Sequence, residues 1–272
     1  MGPISVGSLT RYMRTVPSAM VALLLPAISL LASDITLNQT SIDHGHEWEQ
    51  IQLWSSRYMR INQPGNQVDF MVDFTQGVSY HIDHDKKLIQ KMNWDDLEMA
   101  AKVLGEKLKN LPPLIQKALG ANDAPVSVVD QGSEIILDRE CHKWKIVVGP
   151  ATIETSNDPS VTPPVPAIPY QRFLRLHTVI GQPQTNAAPL LKAGEELAKV
   201  QGIALKYRIV LPIAGQTTTI TTHIEEGPIP PSAFELPGDY QVEDSGKKMR
   251  ENLGVYVDRS VSVSQAQPCS GI

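Results

Sequence analysis

The sequence predicts an α+β fold, a meandering antiparallel sheet with two amphipathic helical inserts. Three observations carry this. Val68, Phe70, Val72 and Phe74 alternate with Asp69, Met71 and Asp73, the period of two of a strand with one apolar face. Between 94 and 120 the period lengthens, with Leu97, Ala101, Leu104, Leu108 and Leu111 at steps of three or four, as on one face of a helix. Residues 203–211 and the Thr-rich 216–226 read as a hairpin, because Thr and Ile favour a pleated surface.

The elements follow in order. From Asp34 to Met92 the chain is β-like. Gln63-Pro64-Gly65-Asn66, Gln76-Gly77 and His84-Asp85-Lys86-Lys87 read as turns between successive strands. Asn93 can cap the helix that follows, and Asp95, Asp96 and Glu98 suit the positive end of its dipole. Pro112-Pro113 breaks that helix, leaving a short second turn to Gly120. Strands are predicted at Val126–Asp130, Glu134–Asp138 and Cys141–Val148. Residues 156–169, with five prolines, read as a long loop within one domain. Tyr170–Val179 fits either a strand or a helix. Ala188–Val200 reads as a helix with Pro189 in its first turn and Gly202 beyond its end. After Tyr240 the chain is polar, with a short helix near Gly246–Asn252. No internal repeat is apparent.

The first segment reads as an export signal. Arg11 and Arg14 precede the apolar run Met20–Ala32, and no acidic residue occurs before Asp34. A positive n-region, an apolar stretch of roughly 7–15 residues and a small-residue end define such signals. A membrane span needs about 20 apolar residues, and Pro26 weakens a membrane helix further. Cleavage is expected near Ala32–Asp34, delivering the protein to the periplasm or the exterior with no stable transmembrane segment. The domain organisation is then a signal peptide over 1–33, a single domain over 34–240 and a polar tail over 241–272.

Composition narrows the function. The chain of 272 residues is 42% hydrophobic and carries a net charge of −5. The apolar share suffices for a core, and the acidic balance argues against a nucleic-acid partner, which needs a basic face. Two cysteines, Cys141 and Cys269, are too few for a disulfide scaffold or a cysteine-based zinc site. They can pair in an oxidising compartment.

Residues that carry chemistry are few. His44 and His46 flank Gly45, and His81 and His84 flank Ile82-Asp83. The spacing of the first pair suits a shared metal ligand pair on a strand, but solvated histidines in turns are the plainer reading. Cys141 and His142 are adjacent on a strand and point to opposite faces, so they form no dyad. His142 and His177 are the first candidates for a hydrolase whose site is assembled from distant residues. No nucleophile elbow, zinc-helix motif, phosphate loop or dinucleotide fingerprint occurs, so no cofactor and no catalytic set are expected.

A resemblance adds to this. Arg57-Tyr58-Met59-Arg60-Ile61, the strand and turn Tyr80–Lys87, Cys141-His142-Lys143-Trp144-Lys145-Ile146-Val147, and the closing Ile229–Tyr240 with its Ile-Pro-Pro-Ser-Ala-Phe-Glu-Leu-Pro-Gly-Asp-Tyr run occur in a fixed order. Together they resemble an exported bacterial family of unknown function related to the LolA/LolB-like lipoprotein-carrier superfamily. The resemblance covers roughly residues 34–240. It implies a curved antiparallel sheet, an unclosed LolA-like β-barrel, with helices packed on its concave face. It also implies a periplasmic binder of a lipid, acyl chain or other hydrophobic ligand, without catalysis; an envelope-associated interaction protein is the alternative. Met59, Ile61, Phe70 and Val72 on the sheet, with Leu104 and Leu108 on a helical lid, are the expected lining. The same residues could equally fill an ordinary core.

Overall fold

The computed structural model describes residues 33–110, 112, 125–149, 151–177, 187–211 and 215–253, all within the unit Leu31–Ile272. The segment 1–32, Pro113–Gly120 and Cys269 therefore lie outside the described residues, as do the side chains of Leu104, Leu108 and His177.

Twelve strands form one sheet among the described residues. They are β1 (Ile35–Asp43), β2 (His46–Trp54), β3 (Tyr58–Gln63), β4 (Val68–Asp73), β5 (Val78–Asp83), β6 (Leu88–Asn93), β7 (Val126–Ile136), β8 (Arg139–Val148), β9 (Ala151–Asp158), β10 (Ile203–Leu211), β11 (Gly215–Glu226) and β12 (Gln241–Asp244). The helices are α1 (Trp94–Lys109), α2 (Ala167–His177), α3 (Ala187–Leu197) and α4 (Ser245–Leu253), with a 3₁₀ turn at Pro231–Phe234. The strand order is β12-β6-β5-β4-β3-β2-β1-β11-β10-β9-β8-β7. Every neighbour pair is antiparallel except β12 with β6. The sheet is open, ending on β12 and β7.

The central meander does repeat. β3, β4, β5 and β6 begin at 58, 68, 78 and 88, a period of ten that hydrophobicity alone does not reveal. Each loop closes on a left-handed residue, Gln67 (φ 52°), Gly77 (φ 62°) or Lys87 (φ 49°). Asp73 Oδ1 accepts the Gln76 backbone N–H at 3.0 Å, and Asp83 Oδ1 that of Lys86 at 2.9 Å. These side-chain bonds offer the backbone a turn in place of a longer strand. Asn93 holds the same place in the fourth unit, where the chain enters α1 instead.

Helix contacts show that the sheet curls. α1 packs on β6, α3 packs on β7, β8 and β9, and α1 touches α3. Packed helix axes lie about 8–10 Å apart. In a flat sheet with strands about 4.8 Å apart, β6 and β9 would be about 38 Å apart. Two touching helices can rest on both only if the sheet bends around them, so the helices occupy the concave side.

Several elements differ from the sequence expectation. Ser156, Asn157 and Asp158 belong to β9 and are buried, because Asp158 is paired with Arg139 at 3.0 Å and Asn157 donates to the Gly202 carbonyl at 3.2 Å. Residues 126–136 are one strand with a bulge between Asp130 and Ser133. Tyr170 to His177, which fit either a strand or a helix from sequence, are helical, within α2. The fold also continues past Tyr240, where the short helix expected near Gly246–Asn252 forms as α4. β12 pairs with β6, and Arg250 of α4 is ion-paired with the buried Asp96 of α1.

The meander is covered on both sides. Met59, Val72 and Phe74 face the concave cluster with Trp94, Leu97, Ala101 and Phe173. Met71, Val78, Tyr80, Ile82 and Ile89 face the other way, against Phe234 and its neighbours in 229–240. The apolar faces of β4 and β5 therefore point to opposite sides, although each strand alone reads as amphipathic.

Candidate binding site

The four sheet residues singled out from sequence form two directly opposed cross-strand pairs. Met59 lies opposite Val72, and Ile61 opposite Phe70. Met59 and Val72 are fully buried at 1% and 0% exposure. Ile61 and Phe70 pack against the same cluster but are only partly buried. The apolar floor thus runs from a sealed pair to a pair with an open edge.

An aromatic group that the periodicity does not single out roofs the sealed end. Trp54 and Phe74 stack with centroids 6.1 Å apart, and Phe173 meets Phe74 edge-on at 5.5 Å. Trp94 meets Phe74 edge-on at 6.0 Å and Phe173 at 6.2 Å. Phe74 continues the alternation of Val72, but Trp94 and Phe173 come from α1 and α2, and only the curl unites them. The Trp94 indole N–H donates to Ser79 Oγ at 2.9 Å, satisfying a buried donor.

Ion pairs join the helices at the rim of this cluster. Glu98 of α1 accepts from Arg172 Nε at 3.1 Å and also from Arg175, both on α2. Burial raises the Glu98 carboxyl, but these two guanidinium groups outweigh it and hold the group below the ordinary carboxylate range.

The neighbouring concave strands change character. Gln50 Nε2 donates to Gln39 Oε1 at 2.8 Å, and Gln39 Nε2 to Thr221 Oγ1 at 3.2 Å. Ser41 and Thr219 share a hydrogen bond of 2.8 Å. This uncharged polar row crosses β2, β1 and β11 and is largely buried, beside Ile35, Leu37 and Trp54 of the same strands, so the concave surface is amphipathic.

The chemistry-bearing candidates are dispersed. His44 contacts Asp43 at 2.7 Å, while His84 lies between Asp69 and Tyr240. His142 Nε2 sits 3.1 Å from both Asp130 oxygens, and its ring lies beside Trp144; it is exposed, and none of its hydrogen bonds among the described residues is to a nucleophile. Cys141 is fully buried. Burial, with Asp158 and Glu134 nearby, pushes its thiol up to about 11. Among the described residues no cluster of His, Cys, Asp and Glu could hold a metal ion, and no helix is long and apolar enough to cross a membrane.

No family model and no curated protein matches the sequence. Among solved structures the chain is similar to PNGF-II, with 13% identity and a TM-score of 0.41 over 82% of this chain and 33% of that one. It is also similar to a DUF1329 family protein from Desulfovibrio piger, with 10% identity and a TM-score of 0.31 over 75% and 90% of the two chains. A LolA superfamily protein from Nitrosomonas europaea matches with 7% identity and a TM-score of 0.27, again over 75% and 90%. The chain spans about a third of the length of the first of these. A family of unknown function and the LolA superfamily, to which the sequence pointed, are both represented. With these TM-scores below 0.5, function rests on the chain's own geometry.

Proposed function

We propose that this is an exported, non-catalytic binding protein that holds an acyl chain or other hydrophobic ligand between the concave sheet face and helices α1–α3. The observation that carries the reading is the open end of the apolar floor, where Ile61 and Phe70 keep exposed edges beside the buried Met59 and Val72. A ligand that continues this floor gains about 0.8 kcal/mol for each CH₂ removed from water. The polar row of Gln50, Gln39 and Thr221 then lies beside the polar end of an amphipathic ligand. Leu104 and Leu108 of α1 belong to the proposed covering helix, and residues 1–33 serve as the export signal.

The test is native mass spectrometry of the full chain recovered from a membrane-containing extract. A mass increment equal to a lipid, released by mild activation, is the expected result. A bare polypeptide under conditions that retain lipid on a control carrier contradicts the reading.

A second reading, an envelope interaction protein, is favoured by β7. This edge strand exposes Val128, Val129 and Ile135, and unpaired edges are templates for a partner strand. The bulge at Asp130/Ser133 interrupts that edge, which makes it the weaker choice.

A further inference from the structure

The face of the meander opposite the helices carries an open pocket of about 390 Å³, within the size range of small-molecule sites. It lies between the β3–β4 turn, His84 of the β5–β6 turn and Ala233 of the 3₁₀ turn. Its existence is independent of the concave-face reading.

Its floor is electrically settled. Arg60 Nη2 donates to Asp69 Oδ2 at 2.6 Å, and Arg60 Nη1 donates to the carbonyls of Ala233 and Glu235 at 3.0 and 3.1 Å. Both charged side chains are 12% exposed. His84 Nε2 lies 3.2 Å from the same Asp69 oxygen, and His84 Nδ1 lies 2.9 Å from the Tyr240 hydroxyl. An anion entering here would meet Asp69, and a cation would meet Arg60, each already paired.

The remaining wall is made of carboxamides, from Asn62, Gln63 and Gln67. Each carries donors and an acceptor side by side, and Gln63 Oε1 already accepts from Asn66 Nδ2 at 3.2 Å. Beneath this wall Arg60 Nε, a donor, and the Asn62 carboxamide oxygen, an acceptor, are buried with no hydrogen-bond partner among the described residues. An ionised carboxylate can only accept and an ammonium can only donate, whereas a hydroxyl does both. Pro64 and Val68 add small apolar surfaces suited to ring C–H groups.

We propose that this pocket is a binding site for a neutral, hydroxyl-rich ligand of sugar size, held by the carboxamides of Asn62, Gln63 and Gln67 over the Arg60–Asp69 pair.

The test is an amide-resolved NMR titration of the full chain with glucose, cellobiose, N-methylacetamide and inorganic phosphate. Saturable shifts with a sugar, confined to the β3–β4 and β5–β6 turns and the segment around Ala233, are expected. Asn62→Ala should weaken them about tenfold, as for the loss of one hydrogen bond. Gln67→Gly is the companion variant. Its positive φ of 52° suits glycine, so the turn is kept while the carboxamide is lost, and it too should weaken binding. Glu140→Gln, an exposed residue of β8 remote from the meander in the strand order, should leave the titration unchanged. No saturable shift with either sugar, a stronger response to phosphate or N-methylacetamide, or sugar shifts indifferent to both Asn62→Ala and Gln67→Gly would each overturn the assignment.

Discussion

Trp94, the first residue of α1, donates its indole N–H to Ser79 Oγ on β5 across 2.9 Å, and both side chains are within 2% of full burial. Ser79 lies opposite Val72 in the sheet, so this bond fixes the start of the helix over the sealed end of the apolar floor. Arg172 of α2 lies over the outer part of the same indole at 5.6 Å.

Trp94→Phe removes the donor, strands the Ser79 hydroxyl and shortens the ring. The expected cost is about 2–4 kcal/mol in a denaturant melt, combining an orphaned polar group with a partial cavity. The double variant Trp94→Phe with Ser79→Ala should recover part of it, because no buried hydroxyl is then left alone. A double variant no more stable than Trp94→Phe would show that the hydrogen bond contributes nothing.

The β7–β8 hairpin turns on Leu137 and Asp138, with φ of 52° and 58°. Two left-handed residues make the mirror-image type I turn that suits hairpin twist, but leucine adopts this conformation at a cost of roughly 1–2 kcal/mol. Its side chain is 38% exposed, so little packing is lost on replacement. Leu137→Asn should therefore raise stability by about 1 kcal/mol, seen as a higher denaturation midpoint at unchanged slope.

Much of the meander is legible because alternation and turn residues agree over 68–92. What is not legible is burial on the second face. Asp69 and Asp73 read as a solvated row, yet both are buried, because Arg60 and Arg57 pair with them at 2.6 and 2.8 Å. Ser156-Asn157-Asp158 reads as the start of a loop because the charge that compensates Asp158 comes from Arg139, on another strand. The aromatic cluster joins Trp54 of β2, Phe74 of the β4–β5 turn, Trp94 of α1 and Phe173 of α2, and no local pattern announces that union. The pocket at Asn62 is hidden for the same reason, since Ala233 closes it from far along the chain.

Asp158 should make stability depend on acid pH. Burial raises its carboxyl, but the Ser160 hydroxyl and N–H and the Arg139 guanidinium outweigh this and hold it low. A carboxylate depressed in the fold adds stability above its unfolded value of about 4, and that stability is lost as pH falls through the folded value. Wild type should therefore exceed Asp158→Asn in stability at neutral pH, with the gap narrowing below about pH 4. A gap constant across that range would refute the linkage.

Cys141 should be inert in the native protein. Its thiol is fully buried and pushed up to about 11 by burial and by the nearby carboxylates of Asp158 and Glu134; the thiolate is the reactive form. In Cys269→Ser protein, a thiol reagent at mildly alkaline pH should label nothing until denaturant is added. Rapid native labelling would show that the concave cluster opens far more readily than its packing implies.

The central claim is that the concave face takes an acyl chain, and direct titration of the full chain with a fluorescent fatty-acid probe tests it most simply. Saturable binding to one site is expected, displaced by an unlabelled acyl ester and abolished by Phe70→Asp. That substitution places a charge at the partly exposed end of the floor, where it should spoil the apolar contact while the fold persists by circular dichroism. Folded wild-type protein that never binds the probe at any accessible concentration would contradict the claim, as would undiminished binding by a folded Phe70→Asp variant.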